Sequence, residues 1–145
     1  MLAIIGGNPQ RFAPYFELYK RAAAEFGTAP QAVGMHSPGF IADTDEEAWE
    51  LYWPHARVMR DRIGVERGWP PSTLQEYKRE RDTGSLYIGS PETVARKIAR
   101  TIKALGVSRF DLIYTSGTQS ISSRLRAVEL YGTKVIPMVH DILGS

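Results

Sequence analysis

Three short polar segments carry the residue types that a binding or catalytic site would need. Gly6-Gly7-Asn8-Pro9 follows the apolar run Leu2-Ala3-Ile4-Ile5. It offers bare backbone N–H groups at a helix start, the arrangement that cradles phosphate or carboxylate. It is neither G-x-G-x-x-G nor a Walker loop, and an ordinary strand-to-helix turn would use the same residues. His36 and Ser37 fall near the end of a second apolar segment, where an imidazole and a hydroxyl could hydrogen-bond a ring ligand or a substrate. The plain alternative is a half-buried histidine satisfied by backbone. Thr115-Ser116-Gly117-Thr118-Gln119 follows a later segment and could touch a phosphate or a ring, or simply cap the last helix.

Other constellations are weaker. The chain has three histidines and no cysteine, and without H-E-x-x-H spacing no metal site is expected. No Ser–His–Asp triad can be argued from spacing. Trp49, Trp53 and Trp69 with Tyr52 form a dense aromatic patch, read as packing of a helix against a neighbour, with ligand stacking as the alternative. Ser90-Pro91-Glu92 opens a helix, but Glu92 stands where an anion would sit, so this start is read as structural.

The elements that must position these groups follow from the apolar spacing. Leu2–Ile5, closed by turn residues, reads as a strand buried on both faces. Phe12, Phe16, Tyr19, Ala23 and Phe26 then recur at helical steps, which predicts a helix over 9–26 capped by Asn8. A second strand is expected over 32–41, with Val33, Met35 and Ser37 on one face, Gly34 and His36 on the other, and an interruption at Pro38-Gly39. Thr44 with Glu47 reads as a capping box. The helix it starts runs to about residue 66, with a kink or break expected at Pro54. Ser72 with Gln75 reads as a second box before a short polar helix. Leu86–Gly89 is a further short strand, followed by a helix on Val94, Ile98, Ile102 and Leu105. Phe110–Tyr114 is the next strand, and a last helix is expected over 120–139. Alternation of this kind means parallel strands with right-handed crossovers, an α/β fold. No linker divides residues 1–145, which are read as one domain.

Composition narrows the class. The 18 basic residues are nearly balanced by 16 acidic ones, for a net charge of +2. Acids are interleaved with bases, which disfavours a nucleic-acid binder. No run approaches the ~18 apolar residues of a membrane span, and no secretory pattern opens the chain. A cytoplasmic protein without disulfides is the expectation. About three principal strands are few for such a sheet, whose edges and helix stripes would lie open. Self-association, most simply as a dimer, is therefore expected.

Four motifs occur in order: Phe40-Ile41-Ala42-Asp43-Thr44-Asp45-Glu46-Glu47-Ala48, Tyr87-Ile88-Gly89-Ser90-Pro91-Glu92-Thr93-Val94-Ala95, Arg109-Phe110-Asp111-Leu112, and Arg126 to Pro137. Together they resemble the C-terminal part of the bacterial-luciferase-like flavin-dependent monooxygenases, over nearly the whole chain from Leu2 to about Met138. The resemblance implies a partial (β/α) barrel, the C-terminal segment of a TIM-barrel-like (β/α)8 fold, with about three parallel strands and crossover helices. It further implies FMN or a deazaflavin as cofactor and a small organic substrate. Gly6, Gly7, His36, Ser37, Thr115, Ser116 and Gly117 are then the candidate cofactor-binding residues, with no catalytic residue assigned. Such barrels run to roughly 250 residues, so most of the family's site has no counterpart in this segment, and the isolated chain is expected to be inactive. The alternative from another class is a non-catalytic, self-associating binding or assembly module.

Overall fold

A computed structural model describes residues 2–4, 7–115 and 117–144. Strand β1 (Leu2–Ile4) leads through a 3-10 turn (Pro9–Phe12) into α1 (Ala13–Glu25). Strand β2 (Gly34–Ile41) is followed by α2 (Asp45–Arg67) and α3 (Leu74–Asp82). Strand β3 (Tyr87–Gly89) leads to α4 (Pro91–Leu105), and β4 (Arg109–Ile113) to α5 (Ile121–Leu130), a π-helical turn (Tyr131–Val135) and α6 (Ile136–Leu143). All strand pairings are parallel, and β2 is the hub. Its first half pairs β1 (Ile4 beside His36) and β4 (His36 beside Asp111, Pro38 beside Ile113). Its last three residues pair β3, with Gly39 beside Tyr87. The fold class is the expected one, a partial parallel α/β barrel, with Tyr87–Gly89 adding a fourth strand to the three principal ones.

Each face of the sheet carries its own core. Met35 and Ile41 of β2 and Tyr87 of β3 are buried with Phe16, Val94, Ile98 and Leu105 of α1 and α4, and with Leu130 and Val135. On the other face Phe40, Leu86 and Ile88 pack on Ala48, Tyr52 and Ala56 of α2 and on Ala127. Alternation along β2 thus sends odd-numbered residues toward α1 and α4 and even-numbered ones toward the side that α2 crosses.

Several local expectations need correction. Pro38-Gly39 does not interrupt β2, because the ladder passes there from β4 to β3 without losing its partner strand. Pro54 does not break α2. A proline removes one helical bond, here to the Glu50 carbonyl, and both residues are exposed, so water can replace it. The helix expected over 9–26 is divided: Asn8 caps the 3-10 turn, and α1 starts afresh with Pro14 in its first turn. The second capping box is one residue later, on Thr73 and Glu76. Ser72 is buried and gives both its N–H and its hydroxyl to Asp61, at 2.8 and 2.6 Å. The last helix changes register through the π turn, where the N–H of Ile136 reaches back to Tyr131 just before Pro137.

The connection after β2 is tied at both ends. Thr44 Oγ1 accepts from the Glu47 N–H at 3.1 Å, while Glu47 accepts from the Asp43 N–H rather than closing the reciprocal box on Thr44. Asp45 accepts from the Ser90 N–H at 2.6 Å and from the Thr93 hydroxyl at 2.9 Å. Partial burial pushes its pKa up, but these donors together outweigh that and hold the carboxyl below its ordinary value. Thr44→Ala is expected to cost about 1 kcal/mol. Asp45→Ala should cost more, about 2 kcal/mol, because it removes an ionised acceptor from two donors on another element. Urea midpoints of the two variants check the order, and equal losses would contradict it.

Candidate functional site

In parallel α/β folds, ligands meet the carboxyl ends of the strands. β1 ends beside His36 near the start of β2, β4 ends beside Pro38 at its middle, and β2 and β3 end together at Ile41 and Gly89. Ile4 and Asp111 flank His36, and Ile113 flanks Pro38. The turn with Gly7 and Asn8 leaves β1 just beyond Ile4, and Tyr114 and Thr115 leave β4 just beyond Ile113. Gly7 and Thr115 therefore follow strand ends, whereas His36 and Ser37, expected near the end of the second strand, are the third and fourth of its residues, because the strand runs on through Pro38-Gly39 to Ile41. Gly6 and Ser116, the companions expected for this site, lie outside the described residues.

His36 is half-buried, and its Nε2 is fully enclosed with no hydrogen-bond partner among the described residues. A buried polar atom left so costs about 1–3 kcal/mol. Its register neighbour Asp111 makes no bond to it and instead accepts Arg109 Nε on both carboxylate oxygens, each at 3.0 Å. Ser37 Oγ is the second orphaned atom, but Ser37 is completely buried on the opposite face, with Met35 and Ile41. The two candidates are sequence neighbours that the pleat separates, so His36 and Ser37 cannot meet one ligand from the same side.

The loop after β4 is docked on α2. Gly117 has a left-handed backbone (φ +68°), and a Cβ there would sit 1.8 Å from the His55 carbonyl oxygen. Thr118 Oγ1 lies 2.7 Å from His55 Nδ1, and Gln119 donates to the Leu51 carbonyl at 3.3 Å. Thr115 stays exposed at the base of this loop.

Beside Pro38 opens a cavity of about 360 Å³, lined also by Tyr52 and Arg60 of α2, by Tyr77 and Arg79 of α3, and by Leu86. These residues were not among those read as site candidates. The signal available was the aromatic patch, which the structure resolves into a ladder along α2. The rings of Trp49 and Trp53 stack at 6.0 Å, and Tyr77 meets Trp53 edge-on at 4.6 Å. Arg81 lies over Trp49 and Arg57 over Trp53. The ladder pins α3 to α2 and so shapes one side of the cavity. Among the described residues no three His, Asp or Glu side chains gather as metal ligands, and no helix is long and apolar enough to cross a membrane.

Four parallel strands among the described residues, with the crossover helices α1 and α4 on one face and the long α2 excursion on the other, fit an incomplete (β/α) barrel. Solved structures carry the same arrangement within longer chains. Monooxygenase RslO1 from Streptomyces bottropensis is 18% identical, with a TM-score of 0.77 over 94% of this chain and 40% of that one. The oxygenating constituent of 3,6-diketocamphane monooxygenase from Pseudomonas putida, solved with FMN, is 21% identical (TM-score 0.65, 94% and 42%). The coenzyme F420-dependent tetrahydromethanopterin reductase of Methanopyrus kandleri is 19% identical (TM-score 0.59, 94% and 44%). No family model and no curated protein matches the sequence. The fold is thus a partial luciferase-like barrel, and the chain spans about 40% of the length of these structures.

Proposed function

We propose that this chain forms one wall of a flavin site in a cytoplasmic, luciferase-like monooxygenase or oxidoreductase, with FMN or a deazaflavin as cofactor and a small organic substrate. The observation that carries the reading is the orphaned Nε2 of His36, enclosed at the level where β1 ends, two residues before the level at which β4 ends. The residues fit such a group in part. His36 supplies one hydrogen-bonding atom, the Gly7-Asn8 turn and Thr115 supply polar groups after the ends of β1 and β4, and the cavity next to Pro38 supplies room for a substrate. A bound flavin would supply the electron transfer and oxygen chemistry. The chain's own part is to orient the ring, to exclude water through α2, and to hold a proton at His36 Nε2.

A flavin phosphate calls for several converging donors, and this wall alone presents few. The isolated chain is expected to bind FMN weakly or not at all and to turn nothing over. Titrating it into oxidised FMN and following ring fluorescence tests the reading. Weak quenching that disappears in His36→Ala supports the site. Saturable quenching in the low micromolar range would overturn the expected weakness, and quenching indifferent to His36→Ala would remove His36 from the site.

The second reading, a self-associating assembly module, is favoured by a different feature. Ile121, Leu125 and Val128 form an apolar stripe on α5 that is 69%, 65% and 44% exposed. β4 pairs only with β2 among the described strands. Such surfaces call for cover, and a two-fold dimer is the simplest form. Sedimentation should show a dimer, with Leu125→Glu shifting it toward single chains. A stable single chain at micromolar concentration would count against this reading.

A further inference from the structure

We propose that the outer face of α4 binds a phosphorylated small molecule, a phosphomonoester or diphosphate ester, with Arg100 and Arg96 as its principal contacts. The site is distinct from the strand-end site around His36 and does not depend on the flavin reading.

The argument starts from charge crowding. α4 carries Arg96, Lys97, Arg100 and Lys103 within three turns. Like charges at helical spacing repel, and a helix ordinarily relieves them with interspersed acids. Two of the four are committed. Lys97 turns inward, its ammonium on the carbonyls of Glu80, Arg81 and Leu86, and Lys103 donates to the carbonyl of Ile142 at 3.0 Å. Arg96 and Arg100 are exposed, and neither has an ion pair or hydrogen bond among the described residues. Arg100 also opposes the charge of Lys97 beneath it.

Asp45, Glu46 and Asp82 offset three of the four positive charges that border the larger hollow on this face, those of Arg81, Arg96, Lys97 and Arg100, which leaves an excess of one. Asp45 is held by Ser90 and Thr93, and Asp82 by Arg81 at 2.7 Å. Glu46 is the one carboxylate bordering the hollow without such a commitment. Basic charge is thus left over where the surface is concave. Arg100 borders a hollow of about 580 Å³ shared with Arg96, Arg81 and Thr93. It also borders a second, of about 260 Å³, edged by Asn8, Gln10, Asp82 and Thr83. Guanidinium groups present a planar fork that matches phosphate oxygens and remain charged at all working pH values. The smaller hollow has room for a phosphate group, with neutral hydrogen-bonding groups and the Asp82 carboxylate on its rim. The larger one leaves room for the esterified part. A diphosphate spanning the two would place its charge between both arginines, and it would relieve the repulsion on Lys97.

The test titrates pyrophosphate and inorganic phosphate into the 145-residue chain by calorimetry, at constant ionic strength with chloride as the reference anion. Saturable binding at one site per chain is expected, with pyrophosphate tighter than phosphate. Arg100→Gln should weaken it by about tenfold or more and Arg96→Gln by less, while Arg124→Gln on α5 should leave it unchanged. Because Arg100 makes no intramolecular bond and repels Lys97, Arg100→Gln should keep or raise its thermal midpoint, which separates lost binding from lost folding. No saturable heat would overturn the proposal. So would an equal loss in Arg124→Gln, which would mean diffuse attraction, or full binding retained by Arg100→Gln.

Discussion

Replacing Gly39 by alanine should destabilise the chain by about 3 kcal/mol or more, the upper range for overpacking. Gly39 occupies the point where the edge of β2 passes from β4 to β3. A Cβ built there lies 2.3 Å from the Tyr87 carbonyl oxygen and 2.5 Å from Leu112 Cδ1. Leu112 could turn away, but the Tyr87 carbonyl belongs to the paired strand itself. Making room means separating β3 from β2, and β3 carries the start of α4. A useful contrast is Gly132 in the π turn, where an added Cβ meets nothing within 4 Å. There alanine should stabilise by about 0.5–1 kcal/mol, because glycine surrenders more freedom on folding. Urea unfolding of the two variants should move the midpoints in opposite directions. A Gly39→Ala midpoint equal to the parent's would show that the sheet yields cheaply at this junction.

The same junction shows what could be read in advance and what could not. The parallel α/β class was legible because Leu2–Ile5 and the stripes of α1 and α4 are periodic signals that depend only on which side is buried. The continuity of β2 was not. Pro38-Gly39 is a breaker pair in isolation, and only the tertiary arrangement, with two strands sharing one edge in succession, turns a glycine there into a requirement. Pro54 and the shifted box at Thr73 fail the same way: a local rule proposes one partner, and exposure or a distant carboxylate such as Asp61 decides otherwise. Site residues were harder still. That His36 and Ser37 face opposite ways is legible from alternation; that the strand runs on past Pro38 to Ile41, leaving both near its start and not at its end, is not. The cavity beside Pro38 takes its lining from α2 and α3, which no strand-end rule would select.

Stability should rise from pH 8 toward pH 10, an increase that Lys97→Met should abolish. Lys97 is 9% exposed. Its Nζ lies 2.6 Å from the Arg81 carbonyl, 2.7 Å from that of Leu86 and 3.3 Å from that of Glu80, and 4.8 Å from the centre of the Tyr87 ring. The clamp fastens the end of α3 to the start of β3. Burial first, and then the charge of Arg100, push the lysine pKa down to about 8, against the opposite pull of Glu80 and Asp82. The unfolded chain holds this proton to about pH 10.4. Between those values the unfolded state binds more protons than the folded state, so stability increases with pH, by at most about 3 kcal/mol. Above pH 10 the sign reverses. Burial raises the phenol pKa of Tyr77, Tyr87 and Tyr131, so the folded state keeps protons that the unfolded chain gives up. A stability maximum near pH 10 is therefore expected in the parent chain. In Lys97→Met the Arg81 and Leu86 carbonyls lose their shared donor, at about 1–3 kcal/mol for each one left unpaired, and the rise from pH 8 should vanish. Guanidinium unfolding at pH 7, 8, 9 and 10 separates the two effects, since lost hydrogen bonds lower the whole curve and only the lost titration flattens it. A parent curve that falls between pH 8 and 10 would mean that Lys97 keeps its proton in the fold and that the three carbonyls outweigh its burial.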